Sequence, residues 1–482
     1  MAETTQTFRS EMPVPASELY AWHGREGAFD RLTPPWMSVR VTSASGTIRP
    51  GDAKKLRLGA GPIGINWSLV HRAGTSEFGF IDEQISGPFS AWTHEHRFLP
   101  NGAERSVLED RITYELPLSL VANPIAGRRV QAEMETLFRF RHRRTETDLT
   151  RHAGSGVTSP LRVVVSGASG MIGRQLVAFL RTGGHEVFTL VRRPPRASHE
   201  IFWDPSTMTI DADSLEGFDA VVHLAGESIA GGRWTKARKA SILESRTNGT
   251  RLLARTLAQL NQPPKVLVSA SGIGYFGDGG QAVLTEASPR GDGFLADVVQ
   301  VWERETAPAS AAGIRVVNPR FGVVLSGNGG LLQQLGRLFK LGGGGQLGNG
   351  RQFMSWIAID DLLGILLESI TNPELEGPIN AVAPTPVTNA DFTRTMASVL
   401  RRPAIFRVPA PALRLAAGEL ADELLLVSQR AEPARLNQIG FRFDYPTLES
   451  ALRHELGRPA PKPASQVAGA VPTTVLNPGH GD

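Results

Sequence analysis

The pattern of apolar and polar positions changes character partway along the chain. Up to about residue 150, short apolar runs such as Ser38–Ser43, Phe78–Ile85, Ala91–Phe98 and Val107–Glu115 are separated by turns rich in glycine and proline. Runs of this kind predict strands of an antiparallel sheet. A helical pattern from Ala126 to Phe138 comes late, so the front of the chain reads as an α+β unit. Gly154-Ser155-Gly156 and Ser159-Pro160 then predict a linker. Beyond it, apolar runs alternate with helical stretches. Leu161–Val165, Glu186–Leu190, Phe218–Leu224, Lys265–Ser271 and Ile314–Leu325 read as strands, and Met171–Thr182, Ala237–Leu260 and Phe294–Ala312 as helices. This alternation predicts an α/β fold with a doubly wound parallel sheet. Gly342–Gly350 reads either as a loop that closes over a substrate or as an ordinary mobile turn. Pro409–Leu456 reads as mainly helical, with a short strand at Phe441–Phe443, and Arg458–Asp482 as a disordered tail. The expected division is 1–152, 160–405, 406–457 and 458–482.

A chain of 482 residues is long enough for two or three domains. The net charge is only +4, and acidic and basic residues nearly balance over the first 152 positions. That balance argues against nucleic-acid binding, and Arg139, Arg141, Arg143 and Arg144 read as a solvated strand end. There is no cysteine, which excludes disulfides, thiol nucleophiles and cysteine metal sites. No apolar run is long enough to span a bilayer, and no basic stretch followed by an apolar core opens the sequence. The expected location is cytoplasmic.

The chemistry concentrates at Ser166-Gly167-Ala168-Ser169-Gly170-Met171-Ile172-Gly173. A predicted strand enters this segment and a predicted helix leaves it. Glycines there let the backbone approach a pyrophosphate, and the free N–H groups of the helix start favour negative charge. The candidate cofactor-binding residues are therefore Gly167, Ala168, Ser169, Gly170, Met171, Ile172 and Gly173. The next strand ends in Val191-Arg192-Arg193, where an NAD-specific site would carry an acidic residue. Guanidinium groups suit a 2′-phosphate, so Arg192 and Arg193 point to NADP(H), the other reading being a solvated basic turn. Leu224, Ala225 and Gly226 fall at a further strand end, as do Ser269 and Ser271.

The glycine turn, His223-Leu224-Ala225-Gly226 and the serines at 269–271 resemble the extended short-chain dehydrogenase/reductase superfamily. Gly232-Arg233-Trp234-Thr235, Ser245-Arg246-Thr247-Asn248-Gly249-Thr250, the segment from Ser269 to Gly277, and Ser355-Trp356-Ile357 are similar to its YfcH-type branch of NAD-dependent epimerase/dehydratase-like proteins. Gly418-Glu419 and Pro433-Ala434-Arg435-Leu436 resemble that branch's small C-terminal domain. The resemblance implies an NADP(H)-binding Rossmann fold. Gly167, Gly170 and Gly173 would hold the pyrophosphate, Leu224–Gly226 would line the adenosine-ribose side, and Ser271 would lie near the nicotinamide. Leu32–Trp36, Asp82-Glu83-Gln84, Gly87-Pro88-Phe89 and Trp92–His96 resemble a START-like (SRPBCC) helix-grip domain. That resemblance implies a curved sheet around a long helix, enclosing an apolar ligand cavity.

In typical members of the superfamily a Tyr-x-x-x-Lys pair moves the proton. The four tyrosines here, Tyr20, Tyr114, Tyr275 and Tyr445, are followed four residues on by Gly24, Leu118, Gly279 and Glu449. Phe294 and Val298 stand where the pair is expected. Positioned acid–base help is typically worth ~10²–10⁴ in rate. The candidate catalytic residues are then Ser271, as a donor to a substrate carbonyl, and Tyr275, as the proton donor. Each also reads as an ordinary packed residue. Glu303 and Asp297 read as exposed helix carboxylates, and Asn248 either orients a backbone or water or lies on a helix surface. His94 and His96 share a strand face, where two imidazoles and Asp110 or Asp82 could hold a metal. The tryptophans nearby and the lack of a third ligand at metal spacing favour packing or cavity histidines, so no metal is expected. Trp22, Trp36, Trp67 and Trp92 are expected to fill this unit's core or line its cavity.

The residues thus support an NADP(H)-dependent oxidoreductase or epimerase acting on a small carbonyl or alcohol, with an apolar ligand in the front unit. The alternatives are a non-catalytic protein that senses NADP(H) and holds an apolar ligand, and a scaffold with a vestigial cofactor site.

Overall fold

The structure is a computed structural model and describes residues 3–59, 64–117 and 124–459. The disordered-tail expectation falls almost entirely on residues outside that range.

The front unit is a seven-stranded antiparallel sheet: β1 (Thr4–Met12), β2 (Val39–Ser45), β3 (Ala53–Leu58), β4 (Ile65–Ala73), β5 (Gly79–Ser86), β6 (Ala91–Pro100) and β7 (Ser106–Glu115), in the order β1-β7-β6-β5-β4-β3-β2. Two short helices, α1 (Ala16–Gly24) and α2 (Ala28–Leu32), sit between β1 and β2. Strand alternation decides what faces inward. Along β6, Trp92, His94, His96 and Phe98 are buried while Thr93 is exposed. A long helix, α3 (Pro124–Gly154), packs against the sheet through Phe138, whose ring stacks on Phe8 at 4.7 Å. Between sheet and helices lies a cavity of about 320 Å³, lined by Leu32, Leu56, Leu69, Trp67, Trp92 and Phe138, with His23, Asp82, His94 and His96 among its polar residues. Trp22 is fully buried, and Trp36 packs edge-on against Phe140.

Helix α3 runs sixteen residues past the predicted end at Phe138, to Gly154. The arginines read as a solvated strand end therefore lie on a helix, and Arg144 is buried. Periodicity was blurred because this helix buries charge as well as apolar surface. Strands β1, β3 and β4 escaped the sequence reading because polar residues break their runs, as in Thr4–Met12.

The second unit is the expected parallel sheet: β8 (Arg162–Ser166), β9 (Glu186–Val191), β10 (Glu200–Asp204), β11 (Thr209–Ile210), β12 (Ala220–His223), β13 (Val266–Ser269), β14 (Ser271–Gly272), β15 (Arg315–Phe321) and β16 (Gly377–Ala381). Its order is β11-β10-β9-β8-β12-β13-β15, with β14 and β16 also paired to β15, and only β11 runs antiparallel. Val163–Val165, Val221–Val222 and Val266–Val268 are fully or almost fully buried, as strands covered on both faces must be. Helices α4 (Met171–Thr182), α5 (Lys236–Leu257), α6 (Phe294–Arg304) and α7 (Ile359–Thr371) cover the sheet. The predicted helix Phe294–Ala312 is broken at Glu305–Thr306, before Pro308. Gly345–Leu347 is a strand paired with Phe406–Val408, so the glycine-rich segment is tied down at its centre. Phe441–Phe443 forms no strand, and the last helix, α8, spans Leu448–Glu455. No helix among the described residues is long and apolar enough to cross a membrane.

A buried charged seam joins the units. Arg31 on α2 donates to Asp148 Oδ1 at 2.6 Å, to Asp360 Oδ1 at 2.9 Å and to Gln175 Oε1 at 2.9 Å. Arg144 on α3 reaches Asp360 Oδ2 at 2.9 Å and Glu455 Oε1 at 3.2 Å. Four of these groups are carboxylate or guanidinium neighbours on α3, α7 and α8, so the seam staples both units and the C-terminal segment together. Gly27, at φ +98°, lies so close to Ala178 of α4 that a Cβ would meet the Ala178 backbone at 2.8 Å.

Candidate active site and front-unit cavity

The strand order reverses between β8 and β12, the point where doubly wound sheets open a crevice for ligands. Both strands end there in tightly joined turns. The Ser166 hydroxyl lies 2.6 Å from His223 Nδ1 and accepts the amides of Leu224 at 3.1 Å and Ala225 at 3.3 Å. Gly167 has φ +70°, and a Cβ on it would come within 2.8 Å of the Leu224 carbonyl carbon. A Cβ on Gly173 would sit 2.2 Å from the Gly167 oxygen. These two positions therefore require glycine. Gly170 caps α4 with its backbone alone, and the first turn of α4 carries no acidic residue. The amides of Met171, Ile172 and Gly173 are left to an anion. Leu224 and Ala225 are half-buried and Gly226 exposed.

The two arginines after β9 differ. Arg193 is held by Glu200 through two hydrogen bonds, of 2.8 and 2.6 Å, whereas Arg192 is exposed and has no hydrogen-bond or ion-pair partner among the described residues. These bonds to Arg193, with the Arg196 amide, pull the Glu200 carboxyl down to about 2. A further arginine was missed. Arg246 on α5 packs over the Trp302 ring at 5.1 Å, close behind Gly226, and makes no ion pair among the described residues. Burial lowers its pKa to about 10.

Ser271 and Tyr275 come together through Glu303, expected from sequence as an exposed helix carboxylate, and Arg320, which no sequence motif singles out. The Ser271 hydroxyl donates to Glu303 Oε1 at 2.6 Å. Arg320 on β15 binds the same carboxylate through Nε at 2.7 Å and Nη2 at 2.8 Å, and its guanidinium carbon stands 3.5 Å from the Tyr275 ring centre. Glu303 is thus largely buried, not an exposed helix carboxylate, because Arg320 compensates its charge inside the sheet edge. Asp297 is exposed and paired with Arg290, as expected. The Ser271 hydrogen points at Glu303, away from the crevice only as far as that carboxylate holds it. Phe294 packs edge-on against Trp234 at 5.2 Å, and Val298 is buried. A charged residue inside a buried strand, Arg320 after Val316–Val317, is the signal that exposes this cluster.

The cavity cluster follows from sheet register. His71, Asp82 and His94 stand opposite one another across β4, β5 and β6, and His96 stands opposite Asp110 of β7. His94 Nε2 bonds Asp110 Oδ1 at 3.0 Å, and His142 of α3 bonds Asp110 Oδ2 at 2.8 Å. Burial lowers His94 to about 4, with His96 adding repulsion. Burial also opposes a charge on His96, but Asp110 and Asp82 outweigh it and raise His96 to about 9. His23, buried beside His96, falls to about 3.

Comparison with known proteins places this geometry. Residues 163–381 match the model of the NAD dependent epimerase/dehydratase family, and residues 408–455 match a domain of unknown function, DUF1731. An epimerase family protein of Mycobacterium bovis is 42% identical over 297 residues, 62% of this chain and 98% of that protein. The human epimerase family protein SDR39U1, solved with NADPH, is 35% identical at TM-score 0.57, covering 61% of this chain and 99% of that one. A structure described as the nucleoside-diphosphate sugar epimerase of Corynebacterium glutamicum is 35% identical at TM-score 0.77 and covers 94% of this chain and 90% of that one, so it shares the front unit too. With these matches over the Rossmann-like unit and its C-terminal extension, the chain belongs to the NAD-dependent epimerase/dehydratase family.

Proposed function

We propose that the protein is an NADP(H)-binding oxidoreductase or epimerase of the extended short-chain dehydrogenase/reductase type, acting on a small carbonyl or alcohol without a Tyr-x-x-x-Lys pair. The observation that carries this reading is the anion cradle at the start of α4, where Gly167 and Gly173 let the turn fold so tightly on neighbouring backbone that any side chain would collide. Gly167, Ala168, Ser169, Gly170, Met171, Ile172 and Gly173 would hold the pyrophosphate. Arg192, without a partner among the described residues, would meet the 2′-phosphate, with Arg193 anchored beside it by Glu200. Leu224, Ala225 and Gly226 would line the adenosine side, and Arg246 would face the diphosphate from behind Gly226. The NADPH in the human relative's structure supports the same cofactor here. When bound, the dinucleotide supplies the hydride chemistry. The chain supplies orientation and the proton: Tyr275 donates through its hydroxyl, Arg320 fixes its ring, and Glu303 holds or releases the Ser271 hydrogen. The test is steady-state NADPH oxidation with a panel of carbonyls. Turnover that falls about 10²-fold in Ser271→Ala or Tyr275→Phe supports the assignment; unchanged turnover in both removes these roles.

A second reading, cofactor sensing without turnover, is favoured by one arrangement. The front unit is a START-like ligand domain in this account, supported by its seven-stranded sheet, long helix and apolar cavity. Ala28, Phe29 and Leu32 of α2 line that cavity, while the same helix donates from Arg31 to Gln175 on α4. An apolar ligand in the cavity would then bias the cofactor helix. A fluorescent fatty acid that changes NADPH affinity, with no turnover on any carbonyl, would select this reading. The unit limits 1–152, 160–405 and 406–457 belong to the same proposal.

A further inference from the structure

The inward row of β5 and β6 supplies the third ligand that the sequence spacing lacked. His94 and His96 both turn one ring nitrogen to Asp110 Oδ1, at 3.0 and 2.7 Å. Their other nitrogens face a single oxygen of Asp82: His96 Nε2 lies 3.5 Å from Asp82 Oδ2 and His94 Nδ1 3.9 Å from it. Three donor atoms thus converge within 4.8 Å of one another. Ligands held about 2.0–2.2 Å from a tetrahedral ion stand about 3.4 Å apart, so a small contraction makes this a coordination sphere. The two imidazole centres are only 3.8 Å apart. His71 Nδ1 reaches within 2.5 Å of Asp82 Oδ1 without hydrogen-bond alignment, and both nitrogens of buried His71 lack a hydrogen-bond partner. His96 Nδ1, also buried, lacks an aligned partner too. Such crowding of misaligned polar groups in an apolar interior calls for a compensating centre.

We propose that Asp82, His94 and His96 bind a divalent transition metal, zinc being the ion best matched, with an open position facing the apolar cavity. His94 coordinates through Nδ1 and His96 through Nε2. Asp110 is a positioning residue: it fixes both rings from behind, as carboxylates do for metal-bound histidines. His142 holds Asp110, and Ser10 holds His142 at 2.9 Å. The remaining coordination position opens on a space walled by Leu69, Phe80, Trp92 and Phe138. It fits an oxygen donor, such as a carboxylate or carbonyl, on an otherwise apolar molecule. Lys54 and Arg141 also line the cavity, but neither pairs with Asp82 or Asp110 among the described residues. A second trio, Asp360, His454 and Glu455, gathers in the seam. Arg31 and Arg144 already neutralise it, so it has no need of an ion.

The experiment is titration of the full-length, chelator-stripped protein with Zn²⁺ and Co²⁺. The expected result is one equivalent of metal per chain, a raised melting temperature with zinc, and visible cobalt absorption of a four-coordinate N/O site. His94→Gln and His96→Gln abolish the cobalt spectrum, while His454→Gln leaves it intact. Asp110→Asn lowers affinity about 10–100-fold and keeps the stoichiometry. NADPH binding by each variant reports whether the rest of the chain is folded. Folded wild-type protein without cobalt absorption overturns the proposal. So does a spectrum that survives both histidine substitutions.

Discussion

The crevice of the parallel sheet and the cavity of the front unit are built in opposite ways. The crevice rests on a contiguous segment, Ser166–Gly173, whose glycines are demanded by backbone atoms at 2.2 and 2.8 Å. The cavity's polar side is assembled from Asp82, His94 and His96, backed by Asp110 and His142, on three strands and a helix, largely through sheet register. The first leaves a linear trace and depends on the main chain. The second leaves almost none and depends on side chains being brought together by pairing. The seam of Arg31, Arg144 and Asp360 locks the two regions into one body.

Cutting that lock gives the largest effect. Asp360→Asn leaves two buried guanidinium groups without their shared carboxylate, a loss of about 3–5 kcal/mol. Calorimetric unfolding should then split into two transitions, front unit and sheet unit. A single unshifted transition would show that the seam does not join them. Gly173→Val should come next: cofactor affinity drops by at least about 100-fold, about 2.7 kcal/mol, because the new side chain collides with the Gly167 oxygen. Metal binding in the front unit should be untouched, which separates the two regions in one variant.

Acid sharpens the comparison at smaller cost. Burial lowers His152, at the joint between the units, to about 3 and His223, in the crevice wall, to about 4. Both fold as neutral rings, so the unfolded chain takes up their protons first. Their stabilisation is complete above about 6.5 and drains as pH falls, to about 4 for His223 and about 3 for His152, by on the order of 2 kcal/mol each at pH 5. Urea melts at pH 7 and pH 5 measure it. His223→Gln should reduce the difference more in the sheet unit than in the front unit. The smallest effect belongs to Arg192→Ala, which should weaken NADP(H) about tenfold, about 1.4 kcal/mol, and leave NAD(H) unchanged. Equal losses for both cofactors would remove Arg192 from 2′-phosphate recognition.

The same contrast explains what the sequence disclosed. The parallel sheet was legible because its central strands are continuous valine runs, and the cofactor turn because its chemistry is local. The front unit's outline was legible above all from β6 and β7, where buried positions recur at every second residue over most of the strand. Helix α3 was read short because Arg144, Asp148 and Arg151 occupy positions that a simple amphipathic pattern assigns to solvent. Glu303 reads as exposed, and Arg320 goes unnamed, for a related reason: each is enclosed only because the other compensates its charge. Asp82 and Asp110 both lie beside His94 and His96 because pairing sets Asp82 opposite His94 and Asp110 opposite His96, a placement that spacing along the chain does not give.

The central claim is that the start of α4 holds a phosphorylated dinucleotide. Isothermal titration of the folded full-length chain with NADPH and NADH tests it directly. The account predicts one saturable site per chain, tighter for NADPH than for NADH, and lost in Gly173→Val. Absence of heat with either nucleotide, or tighter binding of NADH, would contradict it.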